Sequence, residues 1–100
     1  MSNIFENITF TSDKPATYLV HKSDTVTYLA IGLLKNQLLK EHQTAFPALL
    51  TVLKGHIEFR INGEKFRLSE LDTYSIPVNQ LHEVAGLDEQ NIFTLIIERS

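Results

Sequence analysis

The clearest signal in the chain is a segment in which apolar and polar residues alternate. The segment runs from His56 to Ile61 and resumes from Glu64 to Leu68. Alternation with a period of two is typical of a strand that buries one face. The intervening Asn62-Gly63 pair tolerates the positive φ angles of a type I′ turn. The pattern therefore predicts a two-stranded hairpin.

The alternation also divides the hairpin into two faces. The residues of the predicted buried face are Ile57, Phe59, Ile61, Phe66 and Leu68. The residues of the predicted exposed face are Glu58, Arg60, Lys65 and Arg67. A shift of one residue in the register would exchange the two faces, so the register should be strongly specified.

Seven other short segments are rich in β-branched, aromatic and aliphatic residues and are separated by turn residues. These predicted strands are Ile4 to Phe10, Ala16 to Val20, Thr25 to Leu34, Ala48 to Leu53, Thr73 to Ile76, Leu81 to Val84, and Asn91 to Ile97. Many short and closely spaced strands are typical of an all-β sandwich or barrel. The fold class predicted from the pattern is therefore all-β.

The stretch from Tyr28 to Glu41 also fits a helix, because Ile31, Leu34 and Leu38 would share one face. Gly32 within the stretch and Asn36 as a break between two arms favour strands instead. The pattern alone leaves both alternatives open.

Composition excludes several classes of protein. The chain has 100 residues, a formal net charge of −3 and no cysteine, so one domain spanning residues 1–100 is expected, without disulfides or thiolate chemistry. An acidic chain is a poor nucleic-acid partner. Because neither a membrane-length apolar run nor a secretory signal is visible, we expect no membrane partner and a cytoplasmic location.

Five residues between positions 36 and 55 are spaced like the first sequence motif of the cupin family. That motif runs glycine, five residues, His, one residue, His, three or four residues, Glu, six residues, glycine. His42 and Gly55 match it, while Asn36, Thr44 and Ala48 stand at the positions of a glycine, the second histidine and the glutamate.

Five residues farther along resemble the second cupin motif, which runs glycine, five residues, Pro, one residue, glycine, two residues, His, three residues, Asn. Pro77 and His82 match it, whereas Leu71, Asn79 and Gly86 stand where that motif has glycine, glycine and asparagine. Asparagine tolerates the left-handed backbone better than other non-glycine residues, so Asn36 and Asn79 can replace glycines in turns.

The resemblance implies a cupin-like double-stranded β-helix, also called a jelly-roll barrel, in which Tyr28 to Leu34 is a strand. It further implies a pocket lined by His42, Thr44, Ala48 and His82. In metal-using cupins three histidines and a glutamate bind one divalent ion. Only His42 and His82 remain here, so no cofactor should be required, and any Zn, Fe, Ni or Mn should bind weakly and at low occupancy.

Three functions fit this resemblance. The favoured one is a small-molecule-binding module, non-enzymatic or with only a weak divalent-metal site, such as a sensor or accessory protein. The second is a metal-dependent dioxygenase or isomerase of the cupin type. The third is a dimerising regulatory or assembly domain. The structural alternative for His42 and His82 is that they simply hydrogen-bond to backbone.

A homodimer is expected from the segment Thr25 to Leu34, which becomes apolar on both faces from Tyr28 onward. One of these faces needs a cover in a chain this small, and a second copy would supply it. The alternative cover is the N-terminal part of the chain.

Overall fold

The computed structural model describes residues 1–99, with the backbone alone at Glu41 and His42. It contains one helical turn followed by nine strands. These elements are α1 (Ile4–Asn7), β1 (Ala16–Lys22), β2 (Val26–Leu34), β3 (Leu38–His42), β4 (Ala48–Lys54), β5 (Ile57–Ile61), β6 (Glu64–Leu68), β7 (Thr73–Ile76), β8 (His82–Gly86) and β9 (Gln90–Glu98). The predicted all-β class is confirmed, and the helical alternative for Tyr28 to Glu41 is wrong.

The strands form two antiparallel sheets that enclose the core. The five-stranded sheet has the order β1-β2-β9-β4-β7, and the four-stranded sheet has the order β3-β8-β5-β6. Side chains from both sheets meet between them. The fully buried members with the largest side chains include Phe59, Phe93, Leu33, Leu50 and Ile57.

The hairpin forms in the predicted register, with Phe59 opposite Phe66 and Arg60 opposite Lys65. Asn62 and Gly63 both have positive φ, as the type I′ turn requires. Two details of its burial differ from the prediction. Phe66 is only half-buried because it lies on the edge strand β6. Glu58 and Arg60 are half-buried rather than exposed because they form an ion pair with each other.

The prediction of a strand from Ile4 to Phe10 is wrong, because no part of this segment is a strand. Residues 4–7 form a helical turn, because the Asn3 side chain accepts a hydrogen bond from the Glu6 backbone N–H. The chain continues through the buried residue Ile8 to Phe10. Strand β3 corresponds to the second of the two arms that the break at Asn36 suggested, although Leu38 to His42 has no alternation.

The second apolar face of β2 is covered within the chain itself. A Cβ atom at Gly32 would lie 2.7 Å from Ile8 Cγ2 and 3.0 Å from Phe10 Cε1. Ile8, Ala30 and Ile92 form a separate small core beneath the N-terminal segment. The alternative cover is therefore the one observed, and the apolar face of β2 no longer argues for a dimer.

Candidate functional site

Several strands end together at one pole of the barrel, which we call the histidine pole. Strand pairing joins the residues of this pole. In the four-stranded sheet His82 lies opposite both His42 and Ile61. In the five-stranded sheet Ala48 lies opposite both Ile76 and Ile97. The histidine pole is thus defined by His42, Ala48, Ile61, Ile76, His82 and Ile97.

The strand register brings the two predicted histidine positions together. His42 and His82 are directly opposed across β3 and β8, although 39 residues separate them in sequence. Residues directly opposed in an antiparallel pair have their Cα atoms about 4.5 to 5.5 Å apart. The side chain of His42 lies outside the described residues, so its predicted role as a ligand stays a prediction.

The His82 imidazole is buried and held from two sides. It is 3% exposed, and its ring stacks on Phe59 with 5.6 Å between centroids and 27° between planes. Nδ1 lies 3.0 Å from the carbonyl oxygen of Gln80, an acceptor, so Nδ1 carries the proton and donates it. In the neutral ring this leaves the lone pair on Nε2. The hydrogen bond to backbone that the structural alternative proposed is present, and it also fixes the tautomer that ligand-binding histidines use.

Thr44 and Ala48 contribute differently to this pole. The Thr44 hydroxyl donates a hydrogen bond of 2.7 Å to the carbonyl oxygen of Phe46, within its own loop. Ala48 is buried in the main core and offers only a methyl group. The Thr44 carbonyl accepts a 2.7 Å hydrogen bond from the backbone N–H of Asn79, which ties together the loops at residues 43–47 and 77–81.

These residues do not fit the four-ligand metal set of metal-using cupins. Among the side chains that the structure describes, no three His, Asp or Glu lie close enough together to hold an ion. Glu83 is adjacent to His82 in sequence but belongs to the outer face, where its carboxylate accepts a 2.8 Å hydrogen bond from Arg60 Nη1. The remaining candidate for metal binding is the His42 and His82 pair.

Aromatic rings fill the layer beneath the histidine pole. The Tyr74 ring lies 4.7 Å from Phe59 and 5.5 Å from Phe66, measured between centroids. The alternation of the hairpin predicted that Phe59 faces inward, but no feature of the sequence indicated its contact with His82. No residue pattern marked the Gln80 carbonyl either, because any residue supplies that group.

The opposite pole of the barrel is organised by a buried asparagine. Asn91 is fully buried, and its Oδ1 accepts hydrogen bonds from the backbone N–H groups of His56 and Asp88. Its Nδ2 donates to the carbonyl oxygens of Leu33 and Asp88. Because every hydrogen-bonding site of this amide is used within the protein, Asn91 has a structural role.

His56 also belongs to this pole. Its Nδ1 lies 2.9 Å from Asp88 Oδ2, and the residue is half-buried. His21, by contrast, is exposed on β1. An open groove of about 720 Å³ at this pole is lined by residues that include Lys35, Lys54 and Glu70.

Comparison with solved structures shows which fold this is. A protein with a double-stranded β-helix domain from Klebsiella pneumoniae superposes with a TM-score of 0.90 and 18% identity, over 99% of this chain and 89% of that one. A cupin superfamily protein from Desulfitobacterium hafniense gives 0.86 and 16%, over 97% and 88%. An RmlC-like cupin from Desulfovibrio desulfuricans gives 0.84 and 20%, over 97% and 94%.

At sequence identities this low, the similarity to these structures establishes the fold alone. No family model matches the sequence, and no curated protein matches it either. The chain has the cupin fold, a double-stranded β-helix, as the two degenerate motifs indicated. No helix within residues 1–99 has the length and apolar character needed to cross a membrane.

Proposed function

We propose that this chain is a small-molecule-binding cupin-type module whose site is the histidine pole, with at most weak binding of a divalent metal. The observation that carries the proposal is the state of His82. Its imidazole is buried, stacked on Phe59 and anchored through Nδ1 to a backbone carbonyl, while strand pairing sets His42 opposite. The stack and the hydrogen bond fix the orientation of the His82 ring, as is usual for histidines that bind a ligand or a metal.

The residues at this pole favour weak rather than tight metal binding. Two neutral imidazoles supply no negative charge to offset a divalent ion, and Ala48 stands where a carboxylate would do so. The Thr44 hydroxyl is engaged with the Phe46 carbonyl oxygen. A metal-dependent dioxygenase or isomerase would need a more complete ligand shell, so binding without catalysis is the function that we propose.

Isothermal titration of the purified chain with Co²⁺ tests the metal-binding part of this proposal. We expect weak binding that is lost in His82→Ala and in His42→Ala. His21→Ala is the matched control, because His21 is exposed on β1 and should not contribute. Tight stoichiometric binding that survives dialysis would contradict the proposal and favour the metalloenzyme. Binding that His21→Ala abolishes would place the metal elsewhere.

A further inference from the structure

A second cavity adjoins the open groove at the pole around Asn91. It has a volume of about 390 Å³, which lies in the range of small-molecule sites. We call it the α1 cavity, because two of its lining residues belong to α1. Its walls are formed by Ile4, Phe5, Leu53, Lys54, Glu70 and Ile92, none of which belongs to the histidine pole.

The α1 cavity exposes apolar side chains that a ligand would cover. Phe5 is 52% exposed and Leu53 is 38% exposed, while Ile4 is half-buried. The cap at Asn3 fixes the helical turn that carries Ile4 and Phe5. Removing such side chains from water favours binding. The α1 cavity therefore suits an apolar group such as a large aliphatic or aromatic side chain.

One cation and one anion lie at the boundary between the α1 cavity and the open groove. Lys54 and Glu70 line both of them. The Gly55 N–H donates a 3.1 Å hydrogen bond to Glu70 Oε2, and Lys54 Nζ lies 5.6 Å from the centroid of the Phe5 ring. Among the described residues, neither Lys54 nor Glu70 takes part in an ion pair. Both charges can therefore pair with groups on a ligand.

The remaining charges of the open groove are balanced in the same way. Lys35 and Glu89 are exposed in its wall, and in the part of the chain that the structure describes neither forms an ion pair. Asp88 also lines the groove, but its Oδ2 is engaged with His56 Nδ1. A ligand of one sign would be attracted by one kind of charge here and repelled by the other. A ligand that carries both signs finds an opposite charge for each.

We infer that the α1 cavity and the adjoining groove bind a free α-amino acid with a large apolar side chain. Such a molecule carries a carboxylate, an ammonium group and an apolar side chain on one carbon atom. Its carboxylate pairs with Lys54, its ammonium group with Glu70, and its side chain covers the apolar wall. Because exposed ion pairs contribute little, the Kd should be on the order of 1 mM. This site is separate from the histidine pole and does not depend on the proposed function.

NMR titration of the unaltered chain with L-phenylalanine tests this inference. The measurement is made at about pH 6, where α-amino groups are protonated. L-Phenylalanine should shift the backbone amides of Phe5, Leu53 and Glu70. The amides of Ile61 and His82, at the histidine pole, should not move.

Three analogues each lack one of the recognised groups. N-Acetyl-L-phenylalanine lacks the ammonium group, and L-phenylalaninamide lacks the carboxylate. Each should bind about two- to fivefold more weakly than L-phenylalanine, which is the effect of one exposed ion pair. L-Alanine lacks the large side chain and should bind at least about fivefold more weakly.

Two substitutions test which residue pairs with which group of the ligand. Lys54→Met removes the charge and should make L-phenylalanine bind no better than L-phenylalaninamide. Glu70→Gln keeps an oxygen that accepts from the Gly55 N–H and should make L-phenylalanine bind no better than its N-acetyl derivative. Lys65→Met is the control, because Lys65 is exposed on β6 and lines neither cavity. It should leave the order of affinities unchanged.

Two leucines of β4 test the apolar wall. Leu53→Ser should weaken the binding of L-phenylalanine about threefold or more, because it removes part of the surface that the ligand covers. Leu49→Ser is the matched control, since Leu49 is 39% exposed on the same strand but does not line the α1 cavity. It should not change the affinity.

Several results would overturn the inference. L-Phenylalanine that leaves the amides of Phe5, Leu53 and Glu70 unmoved, or shifts those of the histidine pole instead, would do so. Equal binding of L-phenylalanine and its two capped analogues would show that the paired charges are not recognised. If dilution of the protein without ligand shifts the same amides, a second copy of the chain occupies the cavity instead. None of these results affects the Co²⁺ titration, which tests the proposed function separately.

Discussion

Three residues that replace glycines of the cupin motifs keep the left-handed backbone conformation that glycine favours. Asn36, Leu71 and Asn79 stand where the cupin motifs have glycine, and their φ angles are 67°, 73° and 57°. Gly55, which matches its motif, has a φ of 77°. The turns therefore persist with other residues, and asparagine adopts this conformation at little cost. Leucine adopts it only at a larger cost in free energy, so the backbone at Leu71 is strained.

Replacing Leu71 with glycine should stabilise the protein. The Leu71 side chain is 79% exposed, so its removal loses little burial, whereas a non-glycine residue at positive φ costs roughly 1 to 2 kcal/mol. Part of the gain is offset by the greater freedom of glycine in the unfolded chain. We expect Leu71→Gly to raise the free energy of unfolding by about 0.5 to 1 kcal/mol in urea denaturation.

The matched control is Leu81→Gly, because Leu81 is also exposed but its φ is not positive. This variant should be less stable than the wild type. Equal destabilisation by the two substitutions would contradict the assignment of strain to Leu71.

Two glycines with the same backbone angle should respond very differently to alanine. Gly55 and Gly63 have φ of 77° and 76°. A Cβ atom at Gly63 would meet nothing within 4 Å, whereas one at Gly55 would lie 2.4 Å from Asn91 Oδ1. Gly63→Ala should cost about 1 kcal/mol from strain alone, and Gly63→Val at least as much.

Gly55→Ala should cost more than about 3 kcal/mol, because it also displaces a buried amide with four hydrogen bonds. Thermal or urea denaturation of the two alanine variants measures the difference. Similar losses in both variants would show that the contact with Asn91 does not matter.

On the outer face of the four-stranded sheet, neighbouring strands are joined by a network of charges. Arg60 Nε donates to Glu58 Oε1 at 2.6 Å within β5, and Arg60 Nη1 donates to Glu83 Oε1 at 2.8 Å across to β8. The hydrogen bond from Arg60 lowers the pKa of Glu58, against the opposing effect of partial desolvation. The hydrogen bonds to Glu83 and then to Glu58 raise the pKa of Arg60.

The lowered pKa of Glu58 predicts how the stability of the fold depends on pH. A carboxyl whose pKa is lower in the folded state stabilises that state above its ordinary pKa, and this contribution is lost as pH falls through the folded-state value. Glu58→Gln should therefore be less stable than the wild type at about pH 7, and the difference should diminish on acidification to about pH 3.

Thermal midpoints across this pH range are the measurement. Glu64→Gln, an exposed carboxylate of the same hairpin, is the control and should follow the wild type. A constant gap between Glu58→Gln and the wild type at all pH values would contradict the assignment.

The elements differed in how far local sequence could predict them. The β5–β6 hairpin followed from its alternation and from Asn62-Gly63, both of which are local signals. Strand β3 has no alternation and a bulge between Leu39 and His42, so only pairing with β8 defines it. The helical turn α1 depends on the Asn3 cap, and a cap cannot be distinguished from a turn residue before the neighbouring packing is known.

At the scale of the whole molecule, the site depends on contacts that only the closed barrel creates. The motif spacing correctly indicated the fold that sets His42 opposite His82. It did not indicate the aliphatic remainder of the pole, because Ile61, Ile76 and Ile97 come from three strands that pair far apart in sequence. The stack of His82 on Phe59 is equally a product of tertiary packing.

Formation of a homodimer remains a prediction. The N-terminal segment covers one half of the outer face of the five-stranded sheet, through Ile8 and Phe10. On the uncovered half Leu49 is 39% exposed and pairs with Ile96, which is half-buried. If a dimer forms, we expect it to use this half, and Leu49→Lys should dissociate it.

Light scattering at high micromolar concentration measures the mass directly. A value near the 11.4 kDa of one chain for the unaltered protein would contradict the dimer. A dimer that Leu49→Lys does not affect would place the interface on another surface.

Paramagnetic broadening of backbone amide signals by Co²⁺ tests most directly the claim that the histidine pole is the binding site. Broadening falls steeply with distance from the ion, so it locates the ion without relying on a change in affinity. We expect the amides of His42, Ile61 and His82 to broaden first, and those of His21, His56 and Asp88 to remain sharp. Broadening centred on His56 and Asp88, or on His21, would show that the histidine pole is not the metal site.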